Sequence, residues 1–139
     1  MAISSALCTS FKQELLNKEH DLDTDTFKMA LYTSSATLDA TTTAYSVTNE
    51  ISGTGYSAGG ATMAGATIAT SGTTAYVDFN DVQWTSSTFT ANGALIYNSS
   101  NANKAVAVIA FGGDQTVSSG TFTVTMPAAD ASNAIIRLA

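Results

Sequence analysis

Proline, cysteine and histidine each occur once in 139 residues, and lysine and arginine together only five times. Each scarcity excludes something. The lone Cys8 cannot close an intramolecular disulfide or contribute to a cluster of thiolate ligands, so neither kind of staple holds this fold. The five basic residues, Lys12, Lys18, Lys28, Lys104 and Arg137, are scattered along a chain of formal net charge −6 and pI near 4.3. No cationic stripe exists to track phosphates or anionic headgroups, so nucleic acid and an acidic membrane surface are not expected as partners. No stretch approaches the roughly 18 consecutive apolar residues of a bilayer span. The opening residues lack the basic start and apolar run of a secretion signal, so synthesis in the cytoplasm is expected.

Charged residues of both signs are also sparse. They make up 12% of the chain, about half the roughly 25% of an ordinary soluble domain. Hydrophobic residues reach 45%, enough Val, Ile, Leu, Phe and Tyr to offset the entropy of ordering, so the chain is expected to fold, as one domain over 1–139. The remaining surface is left to Thr, Ser, Ala and Gly. A solvent-facing monomer usually carries more charge, and such a surface suggests extensive contact with other protein.

The pattern of the first segment predicts a helix over about 4–17. Ser4 or Ser5 is available as N-cap, Leu7, Phe11 and Leu15 form one apolar stripe, Cys8 and Leu16 widen it, and Asn17 suits the helix end. After the acidic turn HDLDTD the period changes to two in TFKMALYT, which predicts a half-buried strand. Further strands are expected at Tyr45 to Ile51, Ala61 to Ala69, Thr73 to Asn80, Thr88 to Tyr97, Lys104 to Phe111, Gly120 to Met126 and Ala134 to Leu138. The breaks between them include SGTGYSAGG, DVQWTSS, NSSNAN, GGDQTVSS and PAADAS, the last opening on Pro127 at a strand end. About eight short strands with no crossover helices predict an all-β fold: an antiparallel β-sandwich, jelly-roll-like, with one N-terminal α-helix.

Residue types that could carry chemistry are present, but each lacks a neighbour that its chemistry needs. His20, at the helix exit, has no evident nucleophile to activate and reads as a solvated residue near the negative end of the helix dipole. Cys8, on the apolar stripe, reads as a buried, inert thiol. Asp21, Asp23 and Asp25 alternate as the opening of a calcium loop does, yet Thr26 stands where its sharp-turn glycine belongs and Tyr32 where its closing acid belongs. Gly53, Gly55, Gly59 and Gly60 resemble a phosphate cradle, but the stretch beyond Gly60 is strand-like rather than helical, so a turn is expected. Asp78, Asp81 and Asp114 could be imagined as an acid pair for glycoside cleavage beside Trp84; nothing in the spacing brings them together, and a core or interface Trp84 is the stronger reading. The Asn98-Ser99-Ser100 sequon has no use without secretion. The expectation is therefore no enzyme: no catalytic residue, cofactor or metal.

Beyond these local signals, the strings SFKQELLN, DTFKMALYTSSATLDATTTAYS, TNEISGTGY, GALIYNSSNANKAVAV and FTVTMPAADASNAIIRLA together resemble a family of small virion structural proteins of tailed bacteriophages. The resemblance spans nearly the whole chain. It implies a capsid decoration or cement protein, a small β-sandwich capping gaps between major capsid proteins. The acidic charge, which would repel packaged DNA, sets the expected place on the outer capsid surface, and a symmetric homo-oligomer, a dimer or trimer, made in the host cytoplasm, is expected. The alternative the resemblance leaves is a tail- or fibre-associated protein in contact with tail proteins, either an adaptor or a carbohydrate-binding module using Tyr32, Tyr56, Tyr76, Trp84 or Tyr97 as stacking platforms. The resemblance implies no catalytic residues.

Overall fold

The computed structural model describes residues 2–127 and 134–138. Along these the chain forms β1 (Ala6–Leu7), α1 (Thr9–Leu16), β2 (Phe27–Tyr32), β3 (Ala61–Thr62), β4 (Thr67–Ser71), β5 (Thr74–Asp78), β6 (Val82–Asn98), β7 (Lys104–Val124) and β8 (Ile136–Leu138). The strands make two antiparallel sheets, one of five in the order β1-β7-β6-β2-β3 and one of three in the order β4-β5-β8. The expected all-β sandwich with a single short helix is what is found.

The architecture hangs on one hairpin. β6 and β7 pair from Asn98–Lys104 at the tip to Val82–Val124 at the far end. Near the tip both strands are apolar without alternation, GALIYN against KAVAV, because this part is the middle of the sheet: β2 pairs with β6 from Gly93 to Asn98, and β1 pairs with β7 at Ala107 and Val108. Ala94, Leu95, Ile96, Ala105 and Val106 have no exposed surface at all; a fully buried Leu or Ile contributes about 1.5–3 kcal/mol. Farther along, the pattern returns to a period of two. Val82, Trp84, Phe89, Phe122 and Val124 point inward and Gln83, Thr90, Thr121 and Thr123 outward, as on a sheet with one solvated face. The inward aromatics pack on one another, Phe89 and Trp84 lying 5.1 and 6.1 Å from Phe122.

Several boundaries differ from those the sequence predicts, each for a tertiary reason. The helix begins at Thr9 with Cys8 as its N-cap residue rather than at Ser4 or Ser5. Residues before it are drawn onto the sheet: Ser5 Oγ accepts the Ala110 N–H, and Leu7 pairs with Ala107 instead of continuing the helical stripe. Leu16 faces solvent, 89% exposed, so the stripe is narrower than expected. Tyr45 to Ile51 is not a strand. It touches β2 through a single bridge, Tyr32–Glu50, flanked by the bonds Thr33 N–H to Asn49 and Ile51 N–H to Leu31. Ala61 to Ala69 divides into β3 and β4 around Gly65, whose φ is +70°. The breaks expected at DVQWTSS and GGDQTVSS are no breaks: both lie inside the long strands, as irregularities where the register shifts between Trp84 and Ser87 and between Ala91 and Gly93. Most of the PAADAS turn lies outside the described residues.

Candidate functional site

The buried polar groups are the first place to look for chemistry, since an unpaired one would signal a missing partner. His20 is buried, not solvated as its position in the sequence suggests; its ring packs against Phe11 at 4.9 Å. Both ring nitrogens are engaged. Asn98 Nδ2 lies 3.0 Å from Nδ1 and Glu14 Oε1 lies 2.9 Å from Nε2. The amide orientation follows from its other bonds, Oδ1 accepting the Ser100 N–H and Nδ2 also donating to Asp25 Oδ2 at 2.7 Å. Asn98 therefore donates to Nδ1, and the ring hydrogen sits on Nε2, directed at Glu14. The network fastens the end of α1 to the tip of the β6–β7 hairpin, where Lys104 also pairs with Glu19. The pairing lowers the Glu19 carboxyl below its ordinary range and raises the Lys104 ammonium. Asn98 has no exposed surface, and its side-chain amide is committed to this network.

A second polar centre is built on Glu50. Its carboxylate accepts the Tyr45 hydroxyl at 2.6 Å, the Tyr56 hydroxyl, and the Gly59 N–H at 2.8 Å. Tyr56 in turn accepts the Leu31 N–H, Tyr97 donates to Gly59 O, and Tyr32 donates to Ser46 O. Tyr45 stacks on Tyr97 with ring centres 4.7 Å apart. Burial first, and donation to the Glu50 carboxylate second, hold the Tyr45 and Tyr56 phenols above their ordinary range. This centre pins the long segment between β2 and β3 onto the sheet. Neither the burial of His20 nor the hub at Glu50 has a local sequence signature, because each is assembled from residues distant in the chain.

The remaining candidates are spread apart. Cys8 is fully buried, and burial pushes its thiol up to about 11, the setting of an inert thiol. In the acidic turn, Asp21 Oδ1 accepts the N–H groups of Asp23 and Thr24, and Asp25 Oδ2 accepts that of Asp21, so the carboxylates cap their own turn. Among the described residues no group of three His, Cys, Asp or Glu side chains is placed to hold a metal ion. Gly53 and Gly55 form the turn expected of them, but a close-packed rather than a flexible one, lying on β6: a Cβ at Gly53 would stand 2.6 Å from Thr88 O, and Gly55 has φ +83°. Asp81 accepts the Met126 N–H and Asp114 the Asn92 amide, bonds at separate places in the fold. Trp84, Tyr32 and Tyr97 are 5%, 1% and 2% exposed, which corrects the expectation that they could serve as stacking platforms: their faces are in the core.

Among the described residues, the outer face of the hairpin's far half stays open. Neither Val82–Ala91 nor Gln115–Val124 carries a charge, and Thr116, Ser118, Thr121 and Thr123 are exposed. Comparison with known proteins adds no relative. No family model matches the chain, no curated protein does, and no solved structure does.

Proposed function

We infer that this chain is a virion structural protein of a tailed bacteriophage, a capsid cement or decoration protein that binds the major capsid protein on the outer surface of the head as a symmetric oligomer. The observation that carries the reading is the division of polar groups. Candidate chemistry at His20, Cys8, Asp21, Asp25, Asp81 and Asp114 is occupied in bonds or burial that hold the fold, while a long uncharged Thr and Ser surface is left exposed. The resemblance of the sequence to small phage structural proteins supports the same reading. A cement protein needs such a surface, because wide shallow contacts repeated in many copies convert modest affinity into avidity. A net charge of −6 favours the outside of a shell filled with DNA.

The test is to remove the protein from virions. Heads without it should lose DNA at lower temperature or on dilution of salt, with adsorption to cells unchanged; unchanged head stability with failed adsorption would overturn the assignment. Cryo-EM density for the chain on the inner capsid wall would overturn its placement outside.

A further inference from the structure

We propose that His20 is a proton-operated latch: with one ring proton it fastens the acidic turn to the tip of the β6–β7 hairpin, and a second proton expels Asn98 and opens that contact while both sheets stay folded. The latch joins two stretches far apart in the chain. Residues 19–26 run from the exit of α1 to the start of β2, and 98–101 lie at the end of β6 and in the tip beyond it. Between them Thr26 N–H donates to Ser100 Oγ at 2.8 Å, Ser99 N–H to Thr26 O at 2.9 Å, and the Asn101 amide to Glu19 O. Asn98 stands at the centre. One of its amide hydrogens goes to Asp25 Oδ2 and the other to His20 Nδ1, while its oxygen accepts the Ser100 N–H.

That arrangement has no place for a second ring proton. With Nε2–H already directed at Glu14 Oε1 at 2.9 Å, the second proton goes to Nδ1 and meets the Asn98 N–H donor. Turning the amide over does not help. Its oxygen would then face the Asp25 carboxylate and its NH2 group the Ser100 N–H, two repulsive contacts in place of one. The imidazole has no exposed surface, so solvent relieves neither arrangement, and a buried charge is costly unless it is paired. The groups that can pair it are carboxylates. Glu14 on α1, Glu19 beyond the helix end and Asp25 in the acidic turn surround the ring, against one cation, Lys104 on β7, which Glu19 already holds. The charged ring is therefore drawn to Asp25, into the place that Asn98 occupies. The locked form accommodates one ring proton and the open form two, so the latch weakens as pH falls.

The pH window belongs to this ring. Histidine is the side chain whose charge changes between about pH 5 and 8, and His20 is the single histidine of the chain. Groups close by keep their charge there. The bond from Lys104 holds the Glu19 carboxyl below its ordinary range, bonds from Thr24 and Asp23 hold that of Asp21 below its own, and burial lifts the Cys8 thiol to about 11. The other side of the hairpin tip is tied down without any titrating side chain, by the Tyr45 N–H to Asn103 O and the Ala105 N–H to Thr43 O. Acid should therefore open the tip on the His20 side alone.

NMR of the full chain tests this, through the His20 ring protons and amide hydrogen exchange between about pH 7.5 and 5.5. As the ring titrates, protection at Ser99 and Ser100, corrected for the intrinsic pH dependence of exchange, should fall by about tenfold or more, while Tyr45 and Ala105 stay protected. Glu14→Gln takes a carboxylate away from the charged ring and should move the transition to lower pH; His20→Gln should abolish it. A ring that takes no second proton in this window, or one that does so while Ser99 and Ser100 keep their protection, refutes the latch. So does a transition that Glu14→Gln leaves in place, or loosening that persists in His20→Gln. The wild-type titration decides the matter even where a variant fails to fold.

Discussion

The near and far halves of the β6–β7 hairpin are the same two strands under different constraints. The near half, 93–98 against 104–110, has strand neighbours on both sides, and its side chains from Gly93 to Asn98 and Ala105 to Val108 are all buried. The far half, 82–91 against 115–124, buries one face on an aromatic cluster and leaves the other wet. Strand chemistry follows position: continuous apolar sequence where a strand is enclosed, alternation where it is half enclosed.

That difference can be broken by substitution. Ile96→Ala, in the enclosed half, should cost about 2–5 kcal/mol in urea denaturation, since a void there cannot be filled by solvent. A loss under about 1 kcal/mol would mean that the near half is not the stability centre. Tyr56→Phe removes a bond to the Glu50 carboxylate and leaves the Leu31 N–H without its acceptor; about 1.5–3 kcal/mol should be lost, with the strand pairs of the far hairpin still protected in hydrogen exchange.

The tyrosines give a pH signature of intermediate size. Tyr32, Tyr45, Tyr56 and Tyr97 all have phenols raised above their ordinary value of 10.0, through burial first. A group raised in the fold favours folding fully below its unfolded value and loses that contribution as pH climbs toward the folded one. Stability should therefore be flat up to about pH 10 and fall above it, and the phenolate absorbance of these four should rise together with unfolding; phenolates appearing in a still folded protein would contradict the hub. The smallest effect belongs to the wet face: Thr90→Ala, which loses only the hydroxyl pair with Thr116, should change stability by no more than about 0.5 kcal/mol.

Where the sequence was legible, the signal was periodicity. The alternation in FKMALY marks β2, and the stripe at Cys8, Phe11 and Leu15 marks a helix. β2 is nevertheless buried on both faces rather than half-buried, Ala30 and Tyr32 being as enclosed as Met29 and Leu31, because it lies inside the sheet between β6 and β3. Local signals failed where distant backbone competed for the same residues. Ser5 reads as a cap but bonds to Ala110, and Leu7 reads as helix but is taken by β7. Serines and glycines that signal turns are absorbed as bulges inside long strands: Ser86 and Ser119 take φ of +49° and +50° within β6 and β7. The site-level reading fared similarly. The inert setting of Cys8 was legible from its stripe, whereas the burial of His20 depends on Asn98, which lies 78 positions away.

The pairing of β1 with β7 also orders events in time. Ala6 and Leu7 bond across to Val108 and Ala107, about a hundred positions later, so during synthesis the opening segment emerges long before the strand it will join. Only after both arms of the hairpin exist can the helix lay Cys8 and Phe11 against their final neighbours. Closing so long a loop is entropically costly and slow, so docking of the amino-terminal segment waits on the hairpin, just as completion of the smaller sheet waits on β8.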